Sequence, residues 1–168
     1  MTDYRAFPVF AQLDDAELAG FVADCDEAAV PAGTVFIHRG ALGDRIYYLV
    51  EGEVEVFLDG DDGERVELAV IAAPAVVGEL EALTGGPRAA NVRTRTPARF
   101  LEMGFDRLRT RFQAGDPATL KVFFHTARVI ARQLIAMNEK FAELQQTPGA
   151  RHHDLRDFQE KLLNEWTF

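Results

Sequence analysis

Apolar positions along this chain change period twice. Between residues 7 and 25 they recur every three or four residues, so Leu13, Leu18, Phe21, Val22 and Cys25 share one helical face. Asp14 stands just before this face and Glu17 three residues on, the pair that makes a capping box. Residues 1–30 therefore read as a helical lead-in, closed by Pro31-Ala32-Gly33. From Thr34 the period falls to two. Val35-Phe36-Ile37 and Ile46-Tyr47-Tyr48-Leu49-Val50 are short strands. Glu53 to Leu58 alternates, sending Val54, Val56 and Leu58 inward and Glu53, Glu55 and Phe57 outward. A turn at residues 59–63 brings the chain back along Val66 to Ile71. Val92 to Met103 reads as a last hairpin turning at Pro97. Short strands divided by glycine turns predict a small β-roll over residues 31–103.

Helical spacing resumes over residues 104–146. Phe105 to Phe112 is a short helix. Asp116 caps a second one and Pro117 fits its first turn. No glycine or proline interrupts the run from Pro117 to Gln146, which predicts a helix of about 45 Å. Phe123, Ala127, Ile130, Leu134, Met137, Phe141 and Leu144 alternate at spacings of four and three, the a/d seam of a helix pair. Leu120, Phe124 and Ala131 form a second stripe, assigned to the chain's own roll. Two stripes predict two neighbours, and so a homodimer. Pro148-Gly149 breaks the helix. In the linker and tail, residues 147–168, Leu155, Phe158, Leu162 and Trp166 predict a short amphipathic helix that must dock to be stable. A moving output element and a static cap are both open readings of it. The whole is an α+β fold: a jelly-roll-like β-roll with N-terminal helices and a long C-terminal helix.

Composition narrows the function. The 168 residues are 48% hydrophobic, which predicts a packed core. A net charge of -9 disfavours non-specific nucleic-acid binding. The charge is uneven: residues 44–87 hold 11 acids and 2 bases, residues 88–111 hold 7 arginines and 2 acids. All of those arginines except Arg88 are read as a solvated face. The single cysteine, Cys25, is read as a small core residue. His38, His125, His152 and His153 show no metal-ligand spacing, so no metal is expected. The acidic turn Asp59 to Glu64 lacks the spacing of a calcium loop. No apolar run approaches a membrane span and no leader peptide is visible, so the expectation is a cytoplasmic protein with no membrane partner. No nucleophile elbow, Walker loop or two-metal carboxylate set is present, so no enzyme is expected.

One stretch asks for a ligand. Residues 77–92 read Val77-Gly78-Glu79-Leu80-Glu81-Ala82-Leu83-Thr84-Gly85-Gly86-Pro87-Arg88-Ala89-Ala90-Asn91-Val92. Gly78 allows close backbone approach. Glu79 to Leu83 forms one helical turn whose leading N–H groups suit an anion. Arg88 supplies a guanidinium fork for phosphate, and Glu79 accepts hydrogen bonds from a hydroxyl. Together they suit a phosphate beside a sugar hydroxyl.

This run resembles the phosphate-binding cassette of the cyclic nucleotide-binding domain family, the family of the catabolite activator protein and the regulatory subunits of cyclic-AMP-dependent kinase. A second motif, Gly40-Ala41-Leu42-Gly43-Asp44 through Gly52, matches the family's glycine pattern in the right order, so the resemblance covers roughly residues 7–145. It implies that Glu79 holds a ribose 2′-hydroxyl and Arg88 the cyclic phosphate. The implied ligand set is Val77, Gly78, Glu79, Leu80, Arg88, Ala89 and Asn91. Asn138 joins it from the long helix, where residues 131–140 match the segment that lids the base and Met137 packs on the purine. Ala89 offers no hydroxyl, which leans the ligand towards cyclic AMP over cyclic GMP. Two departures stand out. Pro74-Ala75-Val76-Val77 lacks the usual glycine, and Glu81 replaces a residue that is usually small. The expected function is a stand-alone cyclic nucleotide receptor that acts on a protein effector by moving its C-terminal helix. Two alternatives remain: a ligand-free interaction domain on the same scaffold, and a transcription regulator lacking its own DNA-binding domain. For the latter, a helix-turn-helix unit of roughly 60 residues does not fit in residues 147–168.

Overall fold

The structure is a computed structural model describing residues 4–60 and 64–145. The tail helix expected from Leu155, Phe158, Leu162 and Trp166 lies outside the described residues. The chain divides into two compact units, Met1–Thr126 and Ala127–Phe168, and the division falls inside the long helix.

In the first unit, helix α1 (Asp15–Ala23) starts as expected. Asp14 accepts the Glu17 N–H at 2.8 Å, and the Glu17 carboxylate accepts the Asp14 N–H at 2.8 Å. The strands are β1 (Asp26–Val30), β2 (Val35–Ile37), β3 (Arg45–Glu51), β4 (Glu53–Asp59), β5 (Arg65–Ala72), β6 (Ala75–Val77), β7 (Asn91–Thr94) and β8 (Ala98–Gly104). Among the described residues they form two four-stranded antiparallel sheets, ordered β1-β8-β3-β6 and β2-β7-β4-β5. Helices α2 (Glu79–Thr84), α3 (Phe105–Gln113) and α4 (Pro117–Gln145) complete the fold. The jelly-roll-like β-roll is therefore present.

Three local expectations are corrected. Residues 26–30 are a strand, not the end of a helical lead-in. Glu27, Ala28 and Ala29 favour helix, but pairing with β8, from Asp26 opposite Glu102 to Val30 opposite Ala98, overrides propensity. Val92 to Met103 is not a hairpin: β7 pairs with β2 and β4, while β8 pairs with β1 and β3. Alternation marks a strand but not its partner, and the chain changes sheets between Thr94 and Ala98. The arginines after Arg88 are not merely solvated. Arg93 pairs with the buried Glu55, and both Arg65 and Arg93 lie over the Phe57 ring, so this outward pair is covered.

The first sheet is buried on both faces. Tyr47 and Leu49 of β3, with Phe100 of β8, pack against Ile37, Val54 and Val92 of the other sheet. Ile46 and Tyr48, with Leu101 and Met103, turn the other way onto Phe10, Phe21, Leu108 and Val122. Both faces being apolar explains why β3 reads as a continuous hydrophobic run. Cys25 packs on the second cluster, and burial pushes its thiol up to about 12, with Asp24 adding to the shift. Tyr48 is fully buried, yet its hydroxyl has no hydrogen-bond partner among the described residues, and burial raises its pKa well above the ordinary value. An unpaired buried hydroxyl costs about 1–3 kcal/mol. Tyr48→Phe therefore stabilises the fold by about 1 kcal/mol; denaturation with unchanged or lower stability contradicts this.

The start of α4 is set by its cap. Asp116 Oδ2 accepts the Thr119 N–H at 2.8 Å, the Thr119 hydroxyl at 2.7 Å and Arg111 Nη2 at 2.9 Å. Burial opposes the charge on Asp116, but these hydrogen bonds prevail and its pKa is lowered. The buried Thr119 fixes the helix rotation, so Ala118, Val122 and Thr126 face inward. This corrects the assignment of stripes. Leu120 and Phe124, expected on the chain's own roll, are 42% and 64% exposed. Phe123, expected in the dimer seam, packs on the domain core and lies 5.3 Å from the Phe112 ring. Neighbouring apolar rows differ by one residue, and only the cap chooses between them. In the second unit Ala127 and Ala131 are exposed, Ile130 and Leu134 half-buried, and Ile135 and Asn138 exposed. The side chains of Met137, Phe141 and Leu144 lie outside the description.

Candidate functional site

The two glycine-bearing motifs are one structure. Arg88 N–H donates to Ala41 O at 2.8 Å, and Gly40 N–H donates to Arg88 O at 2.9 Å. Leu42 bridges Pro87 beside them. The loop 38–44 is thereby laid along the cassette, which explains why both motifs occur in one chain. Asn91, expected to touch ligand, is committed to this framework. Its Oδ1 accepts the Arg39 N–H at 2.8 Å and its Nδ2 donates to Asp59 at 3.0 Å.

The centre of the site is the Arg88 guanidinium, 5% exposed. Nη1 donates to Gly78 O at 3.2 Å, and Nη2 donates to Arg45 O at 2.7 Å. Its Cζ lies 5.9 Å from the Tyr47 ring centroid and 5.7 Å from that of Phe105. Two glycines make room for it. A Cβ at Gly78, whose φ is 81°, would sit 2.5 Å from Nη1, and one at Gly43 would sit 2.7 Å from Cζ. Gly78 is also the left-handed residue that starts α2.

The anion beside this cation is Glu81. Its Oε2 accepts Arg88 Nη1 at 2.8 Å, and its Oε1 accepts the Ala89 N–H at 3.1 Å. The two side chains are 5% and 7% exposed. The residues alone marked Glu81 only as a departure from the usual small residue. The available signal was Glu81 itself, a second acid two residues after Glu79 in the short helix α2.

The remaining candidates are dispersed. Val77 is buried in the core between the sheets. Leu80 is exposed on α2, as is Ala89 beyond Arg88. Glu79 borders a small void with Ile46, Tyr48, Leu108, Val122 and Thr126. Burial raises its carboxyl pKa, the neighbouring Glu81 adds to this, and Arg88 opposes it. Asn138 belongs to the second unit. Ala75 starts β6 after a cis Ala73–Pro74 peptide and packs on the core between the sheets. Tyr47, Phe105 and the Arg45 carbonyl had no legible signal as partners of Arg88. Among the described residues no group of three or more His, Cys, Asp or Glu is arranged to hold a metal, and no helix is long and apolar enough to cross a membrane.

The fold and this cassette have counterparts. The family model for the cyclic nucleotide-binding domain matches residues 27–115. The chain belongs to the cyclic nucleotide-binding domain family. It is 27% identical over 136 residues to a CRP-like cAMP-activated global transcriptional regulator of Mycobacterium tuberculosis, covering 81% of this chain and 59% of that protein. The crystal structure of the N-terminal domain of a transcriptional regulator from Streptomyces coelicolor superposes with a TM-score of 0.67 at 30% identity. That match covers 79% of this chain and 93% of the other. The catabolite activator protein of Thermus thermophilus superposes with a TM-score of 0.73 at 21% identity, covering 83% and 63% of the two chains, and shows the fold. This chain spans about three fifths of the length of the curated relatives it matches.

Proposed function

We propose that the domain is a receptor for a cyclic purine mononucleotide, cyclic AMP in preference to cyclic GMP, which signals through α4 to a partner. The observation that carries this reading is a buried guanidinium held by two backbone carbonyls near two aromatic rings. Its planar fork of donors is the group that suits a phosphate. In this reading Arg88 and the Ala89 N–H take the cyclic phosphate. Gly78 makes room for Arg88, Glu79 takes the ribose 2′-hydroxyl, and the exposed Leu80 packs beside it. Asn138 is the candidate contact to the base. Calorimetric titration tests it: cyclic AMP binds one per chain and more tightly than cyclic GMP, and absence of heat with both contradicts it.

The proposal includes a homodimer along α4, with the seam beginning after Phe123 at Ala127 and running through Ile130 and Leu134 to Met137, Phe141 and Leu144. Light scattering at micromolar concentration should give twice the 18.7 kDa of the chain, and a monomer mass refutes the seam. A second reading, the receptor portion of a transcription regulator, is favoured by the names of the curated relatives. It uses the same receptor site and differs only in what lies downstream of α4.

A further inference from the structure

Glu81 is placed where the proposed phosphate belongs. Its two oxygens engage the two donors assigned to that phosphate, the Arg88 guanidinium and the Ala89 N–H. Arg88 also donates to Gly78 O and Arg45 O, and the Nη1 that serves Gly78 O is the one bound to this carboxylate. A cyclic phosphate is an anion. Added beside an intact, buried Glu81–Arg88 pair it would bring a second negative charge to one cation in a low-dielectric place. Binding and the ion pair therefore compete for the same groups.

We propose that Glu81 is a built-in occupant of the anion site, so that cyclic nucleotide binds only in exchange for it. The inference rests on the reading of the cassette as a cyclic nucleotide site. It makes the affinity of this domain depend on a residue of its own. In the unliganded chain the carboxylate holds the cassette closed on Arg88. In the liganded chain the phosphate takes over that charge and α2 must release Glu81. Glu81 borders a groove lined by Phe105, Arg109, Phe112 and Phe123, where Arg109, itself beside Asp106, brings a second cation. Exchange rather than addition couples binding to a movement of α2, which a receptor with a small residue at this position would not require. A ligand shifts only an equilibrium whose two states it binds unequally, and here the unequal contact is one named carboxylate.

The test is titration of cyclic AMP into the wild-type chain, Glu81→Ala, Glu81→Gln and Arg88→Ala, with thermal melting of each with and without ligand. The glutamine variant keeps the size of the side chain, and so guards against a folding defect in the alanine variant. The expected result is about tenfold or more tighter binding in both Glu81 variants than in wild type. Each should melt lower than wild type without ligand and gain more from ligand, because phosphate then neutralises an otherwise unpaired Arg88. Equal or weaker binding in both Glu81 variants, with wild type still binding and Arg88→Ala not, overturns the exchange and leaves the receptor reading standing. No binding in wild type or in either Glu81 variant overturns both.

Discussion

Arg88→Ala removes cyclic-nucleotide binding and destabilises the fold at once. The binding loss is at least about 2 kcal/mol, roughly 30-fold in affinity, because a charge-assisted contact to phosphate disappears. The stability loss is about 3–5 kcal/mol. Glu81 remains buried with its charge uncompensated, and the Gly78 and Arg45 carbonyls lose their donors. A poorly folded variant would make the binding result ambiguous, so the pair is also removed together. Replacing a buried ion pair by apolar residues of similar volume is often neutral. Arg88→Met combined with Glu81→Leu should therefore recover most of the lost stability, measured by denaturant unfolding, while still failing to bind. Recovery of binding in that double variant would show that the guanidinium is not the anion receptor.

Phe10→Ala costs about 3–5 kcal/mol, the range for truncating a fully buried aromatic. Its ring lies 5.3 Å from that of Phe7, 5.5 Å from Phe21 and 5.1 Å from Tyr48, in tilted arrangements that aromatic quadrupoles favour. The loss falls on the cluster joining the N-terminal segment to sheet one and to the helices α3 and α4, with Leu108 and Val122 in the same cluster. A drop in melting temperature of about 10 °C or more is expected for a chain of this size. A change of a degree or two would mean that the N-terminal segment is a loose appendage rather than part of the core.

Which features were legible in the residues follows from what each signal encodes. The continuous apolar run of β3 and the alternation along β4 located those strands. Such patterns say nothing about pairing, so β7 and β8 read as a hairpin although they belong to different sheets. In β1, Glu27, Ala28 and Ala29 carry helix preference, and only the docked β8 makes them a strand. The capping signals at Asp14 and Asp116 were readable because a cap is local: its donor and acceptor lie three residues apart. The rotation of α4 was not readable, because apolar rows one residue apart differ only in what they meet in space. In the site, Gly78 and Arg88 were legible as residue types that phosphate chemistry needs. The partner of Arg88 was not, because residues seven apart in sequence meet only when α2 and the loop after it fold back. Asn91 stood in the right stretch, but its amide holds Arg39 and Asp59.

The central claim is that this domain takes a cyclic nucleotide at Arg88, and the most direct measurement is thermal melting of the wild-type chain with cyclic AMP, cyclic GMP and non-cyclic AMP at about 1 mM. A ligand that binds only the folded state stabilises it by mass action, by about 2.7 kcal/mol when present at 100 times its dissociation constant. The account predicts a rise of several degrees with cyclic AMP, a smaller rise with cyclic GMP, and none with AMP. Identical melting temperatures in all three, and in their absence, would contradict it.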